Sequence, residues 1–176
     1  MEARLVLDRA GVDGAVAQLA KQLGQRCAAP DQVLLVGVQQ GGVHLAGRLA
    51  ELIEKATEQA PRVGTLDVSM HRDDLHQRAT PVVYPTAFPV DVSQRTVVLV
   101  DDVICSGRTV RAAIDAILHF GRPRRIELAV LVDRGHRELP IQPDYTGSVL
   151  KTKPEERVNV VTAGADRAEG VYIESP

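Results

Sequence analysis

A parallel α/β sheet flanked by helices is the fold class this sequence predicts. Short runs that are apolar on both sides, Val33–Val38, Val97–Val100 and Ile126–Val132, have the length and composition of strands covered on both faces. Stretches with a helical apolar period alternate with them, and Gly or Pro marks the joins. Strands alternating with helices fold as crossover units, which makes the sheet parallel.

Taken in order, Val12, Ala15, Val16, Leu19, Ala20 and Leu23 recur at the spacing of one helical face, so a helix is expected over about residues 12–26, ended by Gly24 and Pro30. The run Val33–Val38 is the next strand, broken by Gly41-Gly42, and a helix follows with Ala46, Leu49, Ala50 and Ile53 on one face. Val63–Val68 reads as a strand. The next twenty or so residues, with Pro81, Pro85 and Pro89, have no period; a loop that long in a compact domain is usually functional or mobile. Val97–Val100 is a buried strand, and Val110, Ala113, Ile114, Ile117 and Leu118 line a helix ended by Gly121 and Pro123. Ile126–Val132 is a further strand, followed by a polar segment from Asp133 to Tyr145. Val158 and Val160, then Val171 and Ile173, alternate as a late hairpin.

At 176 residues the chain suits a single domain, 1–176, rather than two. No apolar run approaches the length of a membrane span, and the first residues mix acid and base without a long apolar core, so neither a membrane partner nor a secretory signal is expected and the cytoplasm is the default. Cys27 and Cys105 stand far apart with no Cys/His cluster around them, which argues against a disulfide framework and a structural zinc site. A net charge of -2 gives no global pull toward nucleic acid, and aromatics at 3% disfavour a base-stacking platform, so RNA binding would need a local basic patch.

The chemistry concentrates where the Val97–Val100 strand meets Asp101 and Asp102 and then Cys105-Ser106-Gly107-Arg108-Thr109. In an open α/β sheet a ligand lies beyond the carboxyl ends of the strands, where these acids stand. Small residues let backbone N–H groups approach an anion, and the helix start after Arg108 adds a favourable dipole. An aspartate or serine that merely caps the helix is the plain alternative. A Walker loop is excluded because Val43-His44 follow Gly42 in place of Lys and Ser/Thr, and no strand is followed by Gly-x-Gly-x-x-Gly. Two carboxylates for a pair of ribose hydroxyls, and a loop of N–H groups and hydroxyls for a 5-phosphate, together fit one ribose 5-phosphate ligand.

This stretch resembles the signature of type I phosphoribosyltransferases, which bind phosphoribosyl pyrophosphate (PRPP). With "LDVSMHRDDL" (66–75) and "GRPRRIELAVLVDRGHRELPI" (121–141) it is similar, over nearly the whole chain, to the PyrR family of pyrimidine operon regulators with uracil phosphoribosyltransferase activity. The resemblance implies the type I fold: a mainly parallel central sheet, a small hood drawn largely from 132–176, and a flexible loop over about 70–90. It implies formation of UMP and diphosphate from uracil and PRPP with Mg2+ brought in on PRPP and no direct protein ligand, assembly as a homodimer or larger, and in some members binding of a messenger RNA leader. A regulator that senses UMP with little or no turnover is the alternative.

Carried over by position, Asp101 and Asp102 would be catalytic, holding the ribose hydroxyls, and Val103, Ile104, Cys105, Ser106, Gly107, Arg108 and Thr109 would bind the 5-phosphate. Arg72, Asp73 and Asp74 would ride on the flexible loop, for which a solvated charge cluster is the plain alternative. Asp133, Arg134 and Arg137 would form the uracil hood. Gln40, Gly41 and Gly42 match the diphosphate loop, where many members have Thr-Arg-Gly; the arginine's charge is missing here, so weaker or differently supported diphosphate binding is expected, with Arg72 a candidate substitute. Cys105 stands where many relatives carry an aspartate and is read as a small turn residue, not a base. On the first helix Ala17 and Gln18 replace basic or polar residues of RNA-binding members. That leaves Lys21, with Arg122, Arg124, Arg125, Lys151 and Lys153, as candidate RNA contacts.

Overall fold

The computed structural model describes residues 3–26, 32–72, 83–162 and 167–176. The chain runs β1 (Ala3–Asp8), α1 (Arg9–Arg26), β2 (Val33–Val38), α2 (Gly41–Thr57), β3 (Arg62–Leu66), a 3-10 turn (Ser69–His71), β4 (Thr96–Ile104), α3 (Arg108–Leu118), β5 (Arg125–Asp133), β6 (Tyr145–Val149), β7 (Arg157–Val161) and β8 (Gly170–Glu174). Strands β3-β2-β4-β5-β6 form a sheet whose neighbours are all parallel, and β1-β8-β7 form a separate antiparallel sheet.

Strand alternation divides the core into two layers. On one face of the parallel sheet, Val33, Leu35, Val98, Val100, Ala129 and Leu131 pack against α1 and α2. On the other, Leu34, Val36, Val97, Leu99, Leu128 and Val130 pack against α3. Helix α2 follows β2 onto the first face and α3 follows β4 onto the second. Because β2 and β4 are hydrogen-bonded neighbours, their helices diverge and leave a crevice at the carboxyl ends of the two strands.

The expected helices and strands are present, with shifted ends. Helix α1 begins earlier, at Arg9, because Asp8 caps it: the Gly11 N–H donates to Asp8 Oδ1 at 2.9 Å. Strand β4 does not stop at Val100 but pairs with β5 from Thr96–Arg125 to Ile104–Asp133, which draws both aspartates into the strand. Leu118 does not belong to the buried face of α3; it is 53% exposed, and Ala112 and Ala116 take its place in the apolar stripe. The polar segment before Tyr145 does run without a strand, but Tyr145–Val149 then adds β6 at the sheet edge, and β1 pairs with β8 through a register shift between Leu5 and Leu7. The late hairpin is β7 and β8. Among the described residues no helix is long and apolar enough to cross a membrane.

After the 3-10 turn the chain returns along β3, where Thr65 and Ala87 exchange backbone hydrogen bonds at 2.8 and 3.0 Å. Asp67 joins the two roots of this excursion. Its carboxylate accepts from the Ser69 N–H at 2.6 Å and from the Tyr84 N–H, and its own N–H donates to Thr86 Oγ1 at 3.0 Å. Burial acts to raise the Asp67 pKa, but these hydrogen bonds from Ser69 and Tyr84 outweigh it and hold the carboxyl below its ordinary value.

Candidate active site

The crevice between β2 and β4 is built around Asp101 and Asp102. Consecutive strand residues face opposite sides, so Asp101 points toward the α3 layer and Asp102 toward α2. The Asp102 N–H donates to Asp101 Oδ1 at 3.0 Å and the Val103 N–H to Asp102 Oδ1 at 2.7 Å. Burial pushes the Asp101 pKa well up, and the neighbouring Asp102 charge adds to it against a weaker opposing pull from Arg72. Burial also raises Asp102, partly offset by hydrogen bonds from the Val103 N–H and from Asp101. Burial therefore acts in the same direction on both acids, and more strongly on Asp101.

Beyond β4, the carbonyls around the turn Cys105-Ser106-Gly107 are engaged by other segments. Arg137 Nη1 donates to Cys105 O at 3.0 Å, the Glu138 and Leu139 N–H groups to Ser106 O at 3.0 and 3.1 Å, and the Arg134 N–H to Ile104 O at 3.2 Å. The N–H groups of Cys105, Ser106 and Gly107 have no hydrogen-bond partner among the described residues. Gly107, at φ +89°, has the left-handed conformation that places α3's first turn beneath them. Unpaired amides at a helix start form an anion-binding concavity. Thr109 closes it, its hydroxyl accepting from Arg72 Nη1 at 3.2 Å.

Arg134 and Arg137, expected as hood residues, line the cavity beyond β5 and also fasten its walls. Every N–H of the Arg137 guanidinium has a protein acceptor: Ile141 O, Cys105 O, Gly135 O, Asp133 Oδ2 at 2.6 Å and Gln142 Oε1. Arg134 is buried and donates to Thr152 Oγ1, Cys105 Sγ and the carbonyls of Lys153 and Pro154. A cavity of about 410 Å³ opens beyond β5 and β6, lined by Asp133, Gly135, His136, Arg137, Lys151 and Thr152. His136 Nε2 lies 2.8 Å from Thr152 O and so holds one wall of it.

The β2–α2 turn stands beside Asp102. Gln40 Nε2 contacts the Tyr84 hydroxyl, which links this turn to the returning loop. A Cβ on Gly41 would lie 2.1 Å from Asp102 Oδ2, and one on Gly42 would lie 2.0 Å from Val100 O. Gly41 is thus not only an absent arginine: Asp102 occupies the space that any side chain there would need. Gly41→Ala is expected to displace the Asp102 carboxylate and lower turnover at least about 10-fold, since small misplacements at a reacting centre are costly. Steady-state kinetics checks this; unchanged kcat would show that the contact does not position Asp102.

Residues 7–165 match the Phosphoribosyl transferase domain family. The Bifunctional protein PyrR of Syntrophobacter fumaroxidans is 45% identical over 172 residues, covering 97% of this chain and 92% of the relative. That of Streptomyces coelicolor is 46% identical over 173 residues, covering 98% and 90%. The chain belongs to the PyrR family of phosphoribosyltransferases. The fold extends further: a hypoxanthine phosphoribosyltransferase from Trypanosoma cruzi superposes with a TM-score of 0.76 at 15% identity over 98% of this chain and 95% of the other.

Within this PyrR fold the remaining sequence-derived candidates scatter. Asp73 and Asp74 lie outside the described residues. Lys21 is exposed on α1; Arg122, Arg124 and Arg125 stand at the amino end of β5; Lys151 and Lys153 follow β6 at the opposite end of the sheet. Arg124 Nη2 donates to Thr96 Oγ1 at 3.1 Å and Arg125 pairs with Glu127 at 2.8 Å. These cations do not form one patch. What the sequence did not disclose is the fastening by Arg137, the contact between Gly41 and Asp102, and the pinning by Asp67, because each joins segments distant in the chain.

Proposed function

We propose that the chain transfers the phosphoribosyl group of PRPP to uracil, forming UMP and diphosphate. One arrangement carries this reading: a carboxylate pair ends β4, and the turn that follows it directly has amides with no hydrogen-bond partner among the described residues. As the anomeric C–O bond to diphosphate breaks, uracil N1 bonds to the same carbon and releases its proton to solvent. Positive charge builds on the ribose ring, and Asp101 and Asp102 answer it while holding the 2- and 3-hydroxyls. The 105–107 amides and the Thr109 hydroxyl fix the phosphate, so the ring is aligned before bond breaking. The 410 Å³ cavity beside Asp133 and His136 is the place for the base.

Mg2+ bound to diphosphate supplies charge neutralisation at the leaving group. Mg2+ prefers phosphate oxygens and water, so an ion that arrives on PRPP needs no dedicated protein cage. With Gly at position 41, diphosphate is held by backbone amides of the Gly41-Gly42 turn, and Arg72 stands on the phosphate side.

The relatives' name, bifunctional, favours a second activity. A messenger RNA leader is the partner proposed, and an assembly of two or more copies its vehicle. UMP formation from uracil, PRPP and Mg2+, measured beside salt-dependent binding of the protein's own operon leader with UMP present, tests both. Absence of turnover with uracil overturns the first reading, and absence of leader binding at low salt overturns the second.

A further inference from the structure

Away from the crevice, His71, Asp115 and His119 come together from two elements. We propose that they bind a divalent transition-metal ion of the zinc class. A nitrogen from each histidine and a carboxylate oxygen of Asp115 all lie within 4.8 Å of one another. His71 Nδ1 is 3.2 Å from Asp115 Oδ2, close to the edge, about 3.3 Å, of a tetrahedron with metal–ligand bonds of about 2.0–2.1 Å. Asp115 is in α3 and His119 directly follows it, four residues on and on the same side.

The tautomer of His119 is set by its own helix end. His119 Nδ1 lies 2.8 Å from Asp115 O. A carbonyl only accepts, so Nδ1 carries the hydrogen and Nε2 keeps the lone pair a metal needs, the usual outer-shell support of a metal-binding histidine. His71 is held from both sides of its backbone: its N–H donates to Val68 O at 2.9 Å and its carbonyl accepts from Arg111 Nη2 at 2.6 Å. Two imidazoles and one carboxylate, completed by a water, are a ligand set for Zn2+, Co2+ or Ni2+; Mg2+ prefers oxygen alone. The absence of paired cysteines hid this set in the sequence, since His71 and His119 are far apart in the chain.

The ion would fasten the residue before Arg72 to α3, and Arg72 reaches Thr109 in the amide cup. Binding itself does not depend on the uracil reading; the effect on PRPP does, since it rests on the cup holding phosphate. The tag-free full chain, stripped with chelator, is titrated with Zn2+ by calorimetry and with Co2+ by visible absorption. One ion per chain is expected, bound at about 10 µM or tighter, with the intense absorption of tetrahedral Co2+ and no response to Mg2+. His119→Ala and Asp115→Asn, both at exposed positions, should each weaken Zn2+ at least about 10-fold and abolish the Zn2+-dependent rise in melting temperature, with unchanged circular dichroism. In the wild type, Zn2+ should also lower KM for PRPP. No heat at about 50 µM Zn2+, or binding that survives both substitutions, overturns the site. Zn2+ binding in a chain that makes no UMP would overturn the uracil reading and leave the site standing.

Discussion

Asp102→Asn should cut UMP formation by about 100-fold or more and at the same time raise the melting temperature at pH 7. The carboxylate stands at the carboxyl end of β4 against the Gly41 backbone, where a positive ribose ring would form, and asparagine supplies no countercharge there. The amide oxygen can still accept the Val103 N–H, so the strand end is preserved. Stability moves the other way because burial raises the pKa of both acids above the ordinary 3.8. An acid whose folded value is raised makes the folded state bind more protons than the unfolded one, so stability falls as pH climbs through the interval between 3.8 and the raised values. Wild type and variant should therefore melt alike below that interval and diverge above it, with the variant higher. Thermal melts across pH, paired with kcat, check this; a variant that melts lower at pH 7 would make Asp102 a structural carboxylate.

Arg137→Ala should cost about 3–4 kcal/mol of stability, because it leaves the Asp133 carboxylate without its partner at a site where the two side chains are only 17% and 13% exposed. It also frees Cys105 O to turn, so the amides opposite lose their common direction and KM for PRPP should rise about 10-fold or more. Lysine at 137 should restore little, since it lacks the planar fork that reaches Cys105, Asp133 and Ile141 together. Burial acts to raise Asp133, but Arg137 and the Gly135 N–H outweigh it and hold the carboxyl below the ordinary value. Its contribution is therefore complete above 3.8 and lost as pH falls through the lowered value, opposite in sign to the Asp101–Asp102 pair. Denaturant melts with and without PRPP measure both effects; unchanged stability would mean that the pair is not structural.

The parallel layers were legible because β2, β4 and β5 are continuous apolar runs that can only be covered on both faces. The acids and the small-residue turn were legible because their spacing along one strand and one turn is local. β1 and β6 were not: Leu5 is 47% exposed, and Tyr-Thr-Gly-Ser-Val offers one anchored side chain at a sheet edge, so neither leaves a clean period. The bonds from Arg134 and Arg137 to backbone carbonyls were illegible for another reason. An arginine that grips carbonyls has the same local signature as one that grips a ligand, and only the tertiary partners tell them apart. Gly41 carried the same ambiguity, an apparent loss of charge in the sequence and a seat for Asp102 in the fold.

The order β1-β8-β7 sets a schedule for synthesis. β1 is made before any other strand, yet its hydrogen-bonded neighbour, β8, is among the last. The parallel sheet can close on the ribosome while β1 still waits with an unpaired edge. A chain stalled short of Gly170 would keep that edge open, and the nearest matching strand would be the β8 of a finished copy.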